Sequence, residues 1–234
     1  MPCGRREFAL FSQMFDLKPG VVSVIGSGGK TTLLSTLARE LPGPVILCTT
    51  THIFPFSEYP LISGEDAGAL NAALARSRVV CLGQPGKDGK LTAPALSFSL
   101  LRELASWVLV EADGSKRLPL KAHASYEPVI PPESSHTILV VGASGFGAPI
   151  SKAVHRPERF CTLTGAQLQD LVTPELAALA IAREGLARQV FLNQVESRSD
   201  WAQAEQFARA LQGTGIQVFA GSLHQRSLSP LPDA

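Results

Sequence analysis

One stretch restricts the fold of this chain more than any other: Val21-Val-Ser-Val-Ile25-Gly26-Ser27-Gly28-Gly29-Lys30-Thr31-Thr32. An apolar run with strand character meets a glycine turn, a lysine and two hydroxyls, and then passes into the helical Leu33–Leu41. Glycines let backbone N–H groups converge on phosphate oxygens without a Cβ in the way. The start of the following helix adds free N–H groups and the positive end of its dipole. In that arrangement Lys30 reaches the β- and γ-phosphates and the Thr31 hydroxyl binds Mg²⁺. Gly26, Ser27, Gly28, Gly29 and Thr32 complete the expected nucleotide-binding loop. The spacing is short: the usual pattern has a glycine five residues before the Gly-Lys pair, where this chain has Val24. Shortened loops of this kind occur in Mur-type ligases and in other P-loop relatives.

The rest of the chain suits a single α/β domain. It has 234 residues, 45% of them hydrophobic and 18% charged, with a formal net charge of +1. That balance indicates a packed globule and gives no electrostatic case for nucleic acid or an anionic membrane. Cys3, Cys48, Cys81 and Cys161 are scattered, which suits reduced thiols in a cytoplasmic protein better than a disulfide frame or a zinc site. No apolar run approaches the ~20 residues of a membrane helix. No secretory core is evident.

Strand and helix signals alternate along the chain. Val45–Cys48, Arg78–Leu82, Trp107–Val110, Thr137–Val141, Gln189–Leu192 and Ile216–Phe219 are short apolar strands. Between them lie helical segments at Glu65–Arg76, Ser97–Ser106, Glu175–Glu184 and Asp200–Leu211, with Thr173 as N-cap before Pro174. Continuous apolar strands are buried on both faces, so a three-layer P-loop NTPase-like fold with a mainly parallel sheet is expected. An amphipathic helix within residues 1–19, from Arg5 to Asp16, should pack on it. Residues 83–93 read as a hairpin excursion. Residues 227–234 read as a frayed tail.

Ligands in such folds sit at the carboxyl ends of the strands. Four polar clusters fall there: Gly26–Thr32, Thr49–His52, Glu111–Ser115 and Asn193–Glu196. Glu111, first after its strand, can hold Mg²⁺ opposite Thr31. Asp113 can orient water, and Gly114 stands where a GTPase switch glycine meets the γ-phosphate. Thr50, Thr51 and His52 place hydroxyls and an imidazole beside the loop, for metal, substrate oxygen or proton transfer. Asn193-Gln-Val-Glu196 is similar to the Asn-Lys-x-Asp element that reads guanine, but it also fits a plain strand-end turn. Lys121, His155 and Arg156 belong to a basic group suited to an anionic substrate or partner, or to a solvated surface.

Taken in order, Gly26-Ser-Gly-Gly-Lys-Thr-Thr, Thr49-Thr-Thr-His, Glu111-Ala-Asp-Gly-Ser-Lys, Leu120-Lys-Ala-His, Glu127-Pro-Val-Ile-Pro, His155-Arg-Pro-Glu158 and Asn193-Gln-Val resemble the YqeC family. These are accessory proteins of selenium-dependent molybdenum hydroxylases. The resemblance runs from about Val21 to Val218. It implies a P-loop NTPase-like fold and a role in maturing such an enzyme. Cys48 stands where similar sequences often carry threonine, and His52 where lysine is frequent.

Three functions follow. The first is an Mg²⁺-dependent NTPase that binds ATP or GTP, with Lys30, Glu111 and Asp113 as its catalytic residues, acting on a molybdenum hydroxylase or its cofactor. The second is a kinase or ligase-like phosphotransferase that uses the Mur-like loop on a small acid. The third is a non-catalytic nucleotide- or cofactor-binding chaperone.

Overall fold

The computed structural model describes residues 10–63 and 65–231. The chain opens with α1 (Phe11–Met14), β1 (Gly20–Gly26), α2 (Lys30–Glu40), β2 (Val45–Thr49), β3 (Leu61–Ile62), α3 (Ala67–Arg76) and β4 (Val79–Leu82). A small ladder follows, β5 (Gln84–Pro85) and β6 (Leu91–Thr92), and then α4 (Phe98–Leu104), β7 (Trp107–Glu111), β8 (Leu120–Lys121) and β9 (Ser134–Gly142). The remainder is α5 (Ile150–Ala153), β10 (Val154–His155), α6 (Pro157–Thr164), α7 (Pro174–Glu184), β11 (Gln189–Asn193), α8 (Arg198–Ala210), β12 (Gln217–Ser222) and β13 (Ser227–Leu231).

Nine of the strands form one sheet, ordered β13-β12-β11-β9-β1-β7-β2-β4-β3. Every pairing in it is parallel except the antiparallel β12–β13. β1 lies near the centre between β9 and β7, so the loop that leaves it emerges mid-sheet. The central strands β1, β2 and β7 are buried at every residue, the result of helices covering both faces. Along β1 the side chains alternate: Val21 and Ile25 face one core, Val22 and Val24 the other. The first core takes apolar residues of α3, α4, α7 and α8, and the second those of α1 and α2. The fold is therefore a three-layer P-loop-like α/β fold.

Local chemistry fixes the helix ends. Thr173 accepts a hydrogen bond from the Leu176 N–H at 3.2 Å, so it caps α7 ahead of Pro174. Ser197 and Asp200 form a reciprocal capping box at the start of α8. The turn-rich 83–93 segment folds as the antiparallel β5–β6 pair around a short 3-10 turn.

Two expectations for the termini change. Of the helix expected from Arg5, residues 5–9 lie outside the described residues. Its described part is the single turn α1, and Phe15 packs edge-on to Phe219 at 4.9 Å between ring centroids. The tail expected to fray instead pairs as β13 from Ser227 to Leu231, because Leu228 is buried against the second core and the backbone completes a ladder with β12. Residues 232–234 lie outside the described residues.

Candidate functional site

The phosphate-type loop is shaped by three glycines at positive φ: Gly26 (+89°), Gly28 (+85°) and Gly29 (+140°). Gly28 shows why no other residue fits. A Cβ there would meet the backbone of Gly142 and, at 2.9 Å, the carbonyl oxygen of Pro119. The loop is thus pressed against the end of β9 and the chain before β8, and its conformation is fixed from behind.

Lys30 opens α2 and folds back over the loop. Its Nζ donates to the Gly26 carbonyl at 2.7 Å and to Ser115 Oγ at 3.3 Å. It lies 3.2 Å from Asp113 Oδ1 and 3.7 Å from Glu111 Oε1. The Thr31 hydroxyl donates to Glu111 Oε2 at 2.8 Å. Burial pushes the Glu111 carboxyl above its ordinary range, opposed by the charge of Lys30 and the Thr31 hydrogen bond. Gly28, Gly29, Lys30, Thr31, Thr32 and Glu111 line one broad cleft of about 1580 Å³. Thr31 and Glu111 offer a hydroxyl and a carboxylate oxygen side by side, the hard donors that Mg²⁺ takes together with phosphate oxygens and water. The pair therefore fits that ion.

Asp113 does something other than expected. Its side chain is 0% exposed and points behind the loop, away from the cleft. It accepts from the Gly26 N–H at 2.9 Å and pairs with Lys121 at 3.2 Å and with His123 Nε2 at 2.8 Å. Burial would raise its carboxyl, but the His123 hydrogen bond and the charges of Lys30 and Lys121 outweigh that and hold it at about 2. Asp113 thus anchors the loop root, with its carboxylate enclosed by Lys30, Lys121 and His123. The Gly26 N–H is consequently spoken for, and Gly26 and Ser27 support the loop without lining the cleft. Gly114 does line it, next to Glu111.

Lys121 is likewise turned inward. Its ammonium is 0% exposed, held by Asp113, by Glu127 at 3.0 Å and by the Gly114 carbonyl at 2.6 Å, so it meets no substrate. Thr50 lies off the cleft lining, its hydroxyl donating to the Val129 carbonyl at 2.6 Å. Thr51 and His52 do line the cleft, as do His155 and Arg156.

At the other end of the cleft, Asn193 reaches the loop. Its Nδ2 donates to the Gly28 carbonyl at 2.7 Å, and its Oδ1 accepts from the Leu223 N–H at 3.0 Å. Glu196 faces the cleft and accepts from the Ser222 hydroxyl at 2.6 Å. Ser222, the last residue of β12, and Leu223 after it complete this wall and were not marked in the sequence. Their only signal is position, at the end of a strand three places from β1 in the sheet.

Asp113 is held by residues with no local signal in the sequence. His123 bridges it to Glu184, with Nδ1 2.8 Å from Glu184 Oε2 and the His123 backbone N–H donating to Glu184 Oε1 at 2.6 Å. Burial works against the charged ring, but the hydrogen bonds from Asp113 and Glu184 lift His123 above its ordinary value. Arg156 Nε donates to Glu127 at 2.8 Å, joining the exposed basic wall to the buried network.

Among the described residues, no helix is long and apolar enough to cross a membrane. A solved structure similar to this chain is the signal recognition particle 54 kDa protein of Aeropyrum pernix K1 in complex with GDP. It is 16% identical, with a TM-score of 0.41, over 93% of this chain and 45% of that one. The chain thus spans less than half the length of that structure. A curated relative is "Uncharacterized protein YqeC" of Escherichia coli strain K12, 38% identical over 171 residues, which are 66% of this chain and 67% of the relative. The family model described as YqeC protein matches residues 22–158, a span that holds the phosphate-type loop, Glu111, Asp113, Lys121, His123 and Arg156. This chain belongs to the YqeC family.

Proposed function

We propose that this protein binds an Mg²⁺–nucleoside triphosphate at Gly28–Thr32 and hydrolyses it while assisting the maturation of a molybdenum hydroxylase. The observation that carries the nucleotide reading is the junction at the mouth of the cleft: Lys30 Nζ and the Thr31 hydroxyl both meet Glu111 at the N-terminus of α2. Lys30 is positioned to leave its internal partners for phosphate oxygens. Thr31 and Glu111 would hold Mg²⁺, which would neutralise charge that develops between the phosphates. Asn193 and Glu196 would receive the base, and a carboxylate that can accept from guanine N–H groups favours GTP. The maturation role is carried by what the family resemblance implies.

Titration calorimetry with Mg²⁺ and either ATP or GTP tests the site. Micromolar binding by the wild type should disappear in Lys30→Ala. Tight binding retained by that variant would remove the assignment. Glu111→Gln should keep the fold but lose the gain in affinity that Mg²⁺ confers.

A second reading has its own support. With Asp113 held behind the loop by the Gly26 N–H, Lys121 and His123, Glu111 is the carboxylate that the end of β7 presents to the cleft. This favours a protein that binds nucleotide, or transfers its phosphoryl group to an acceptor, over one that hydrolyses it alone. Phosphate release without added acceptor supports hydrolysis. Strict dependence on an acceptor supports transfer, and binding without turnover supports a chaperone.

A further inference from the structure

A nucleotide seated as above occupies only part of the cleft. Its phosphates would sit at the end of β1, with its base towards β11 and β12, where Asn193, Glu196 and Leu223 lie. The cleft continues in the opposite direction, over the ends of β7 and β2. Val129 is placed there by hydrogen bonds from its N–H to the Ala112 carbonyl and to its carbonyl from Thr50. From β12 to β2 there are five interstrand spacings of about 4.8 Å, or roughly 24 Å of cleft floor.

The surface of this second half is unusual in three ways. Of the five large hydrophobic residues exposed among the described residues, three are here: Phe54 (53%), Tyr126 (70%) and Val129 (46%). Around them stand Lys116, Arg117 and Arg156. Lys116 and Arg117 form no ion pair among the described residues, and the Arg156 guanidinium lies 5.2 Å over the Tyr126 ring. Lastly, Lys116 (φ 49°), Arg117 (φ 62°) and Arg156 (φ 66°) all adopt left-handed backbone that side-chain-bearing residues usually avoid. Such strain persists where a site needs it. Beside them the His155 Nδ1 is buried and has no hydrogen-bond partner among the described residues.

We propose that this half of the cleft is a binding site for a second ligand, an anion carrying a flat unsaturated ring, held next to the nucleotide's terminal phosphate. The ring stacks on Tyr126 and the anionic group pairs with Lys116 and Arg117, while Arg156 stays bound to Glu127 beside them. Exposed aromatic rings alone would suit a protein surface, and exposed cations alone would suit any phosphate. Their alternation on a concave wall selects a small molecule with both characters. The placement of the anion beside the phosphates rests on the nucleotide reading; the existence of the site does not.

The test uses three probes on the full chain: flavin mononucleotide (ring and phosphate), riboflavin (ring only) and inorganic phosphate (charge only). Binding is followed by flavin fluorescence and by calorimetry, with and without a saturating non-hydrolysable Mg²⁺–nucleotide analogue. Flavin mononucleotide should bind at least about tenfold more tightly than either fragment, with the analogue present. The double variant Lys116→Ala/Arg117→Ala and the single variant Tyr126→Ala should each weaken it about tenfold while nucleotide affinity stays unchanged. All three residues are exposed or half-exposed, so the fold should survive their loss. The proposal is overturned if flavin mononucleotide does not bind, if riboflavin or phosphate binds equally well, if neither variant matters, or if the analogue displaces it. Flavin mononucleotide binding that depends on Tyr126 in a protein that binds no nucleotide would leave this site standing and reject the nucleotide reading.

Discussion

Asn193 and Gly28 are 165 residues apart in sequence, yet the Asn193 amide donates to the Gly28 carbonyl at 2.7 Å while its own oxygen takes the Leu223 N–H. One side chain thus ties the phosphate-type loop to the wall expected to receive the base.

Asn193→Ala should release both ties. Nucleotide affinity should fall about tenfold, equally for ATP and GTP, because the loop and not base recognition is disturbed. Calorimetry on both nucleotides checks this. A loss confined to GTP would instead make Asn193 a base-reading residue.

Glu196 should behave differently. It is exposed, and among the described residues its one side-chain partner is the Ser222 hydroxyl at 2.6 Å. Glu196→Gln should weaken GTP about tenfold and leave ATP unchanged, as expected for a lost charged acceptor. Equal effects on the two nucleotides would dismiss guanine selectivity.

Lys121 compensates Asp113 and Glu127 in a fully buried setting. Lys121→Met keeps the bulk and removes the charge. Breaking such a pair should cost about 3–5 kcal/mol, read as a lower urea midpoint. The lost stability should appear with or without nucleotide, because the ammonium never faces the cleft.

The His123 ring is held above its ordinary value of 6.5 by hydrogen bonds to Asp113 and Glu184, against the effect of burial. A raised imidazole contributes stability that is fully present below 6.5 and is lost as pH rises through the folded-state value. Urea midpoints of the wild type should therefore decline above that pH. His123→Gln should be less stable in mild acid and lack this part of the decline. A wild-type midpoint that holds steady to alkaline pH would show that the ring is neutral in the folded protein.

How much of this was legible depends on how local the interactions are. The loop, Glu111 and the Asn193 segment could be found because each is a contiguous group placed directly after an apolar strand. The parallel sheet was legible because its strands are continuously apolar. The role of Asp113 was hidden, since it is set by His123, which is in turn oriented by Glu184, 61 residues beyond it. Lys121 looked like any other cation in a basic stretch, and nothing nearby says that its ammonium is enclosed. Helix α6 was obscured by the Gly/Pro-rich run before it. Pro157 in fact opens that helix, at a position where its missing N–H costs nothing. The strand β13 carries serines and a proline, a composition that suggests a tail until its partner strand is known.

The two rims of the sheet have a bearing on how this molecule associates. One rim is β3, only two residues long; the other is β13, whose Pro230 lacks a donor and which pairs with its neighbour in the opposite sense to the other strands. Short and proline-broken borders discourage strands of other molecules from extending a sheet. Copies of this protein at high concentration should therefore resist fibril-like, edge-on polymerisation. Self-association would then have to use the helical faces or the rim of the cleft.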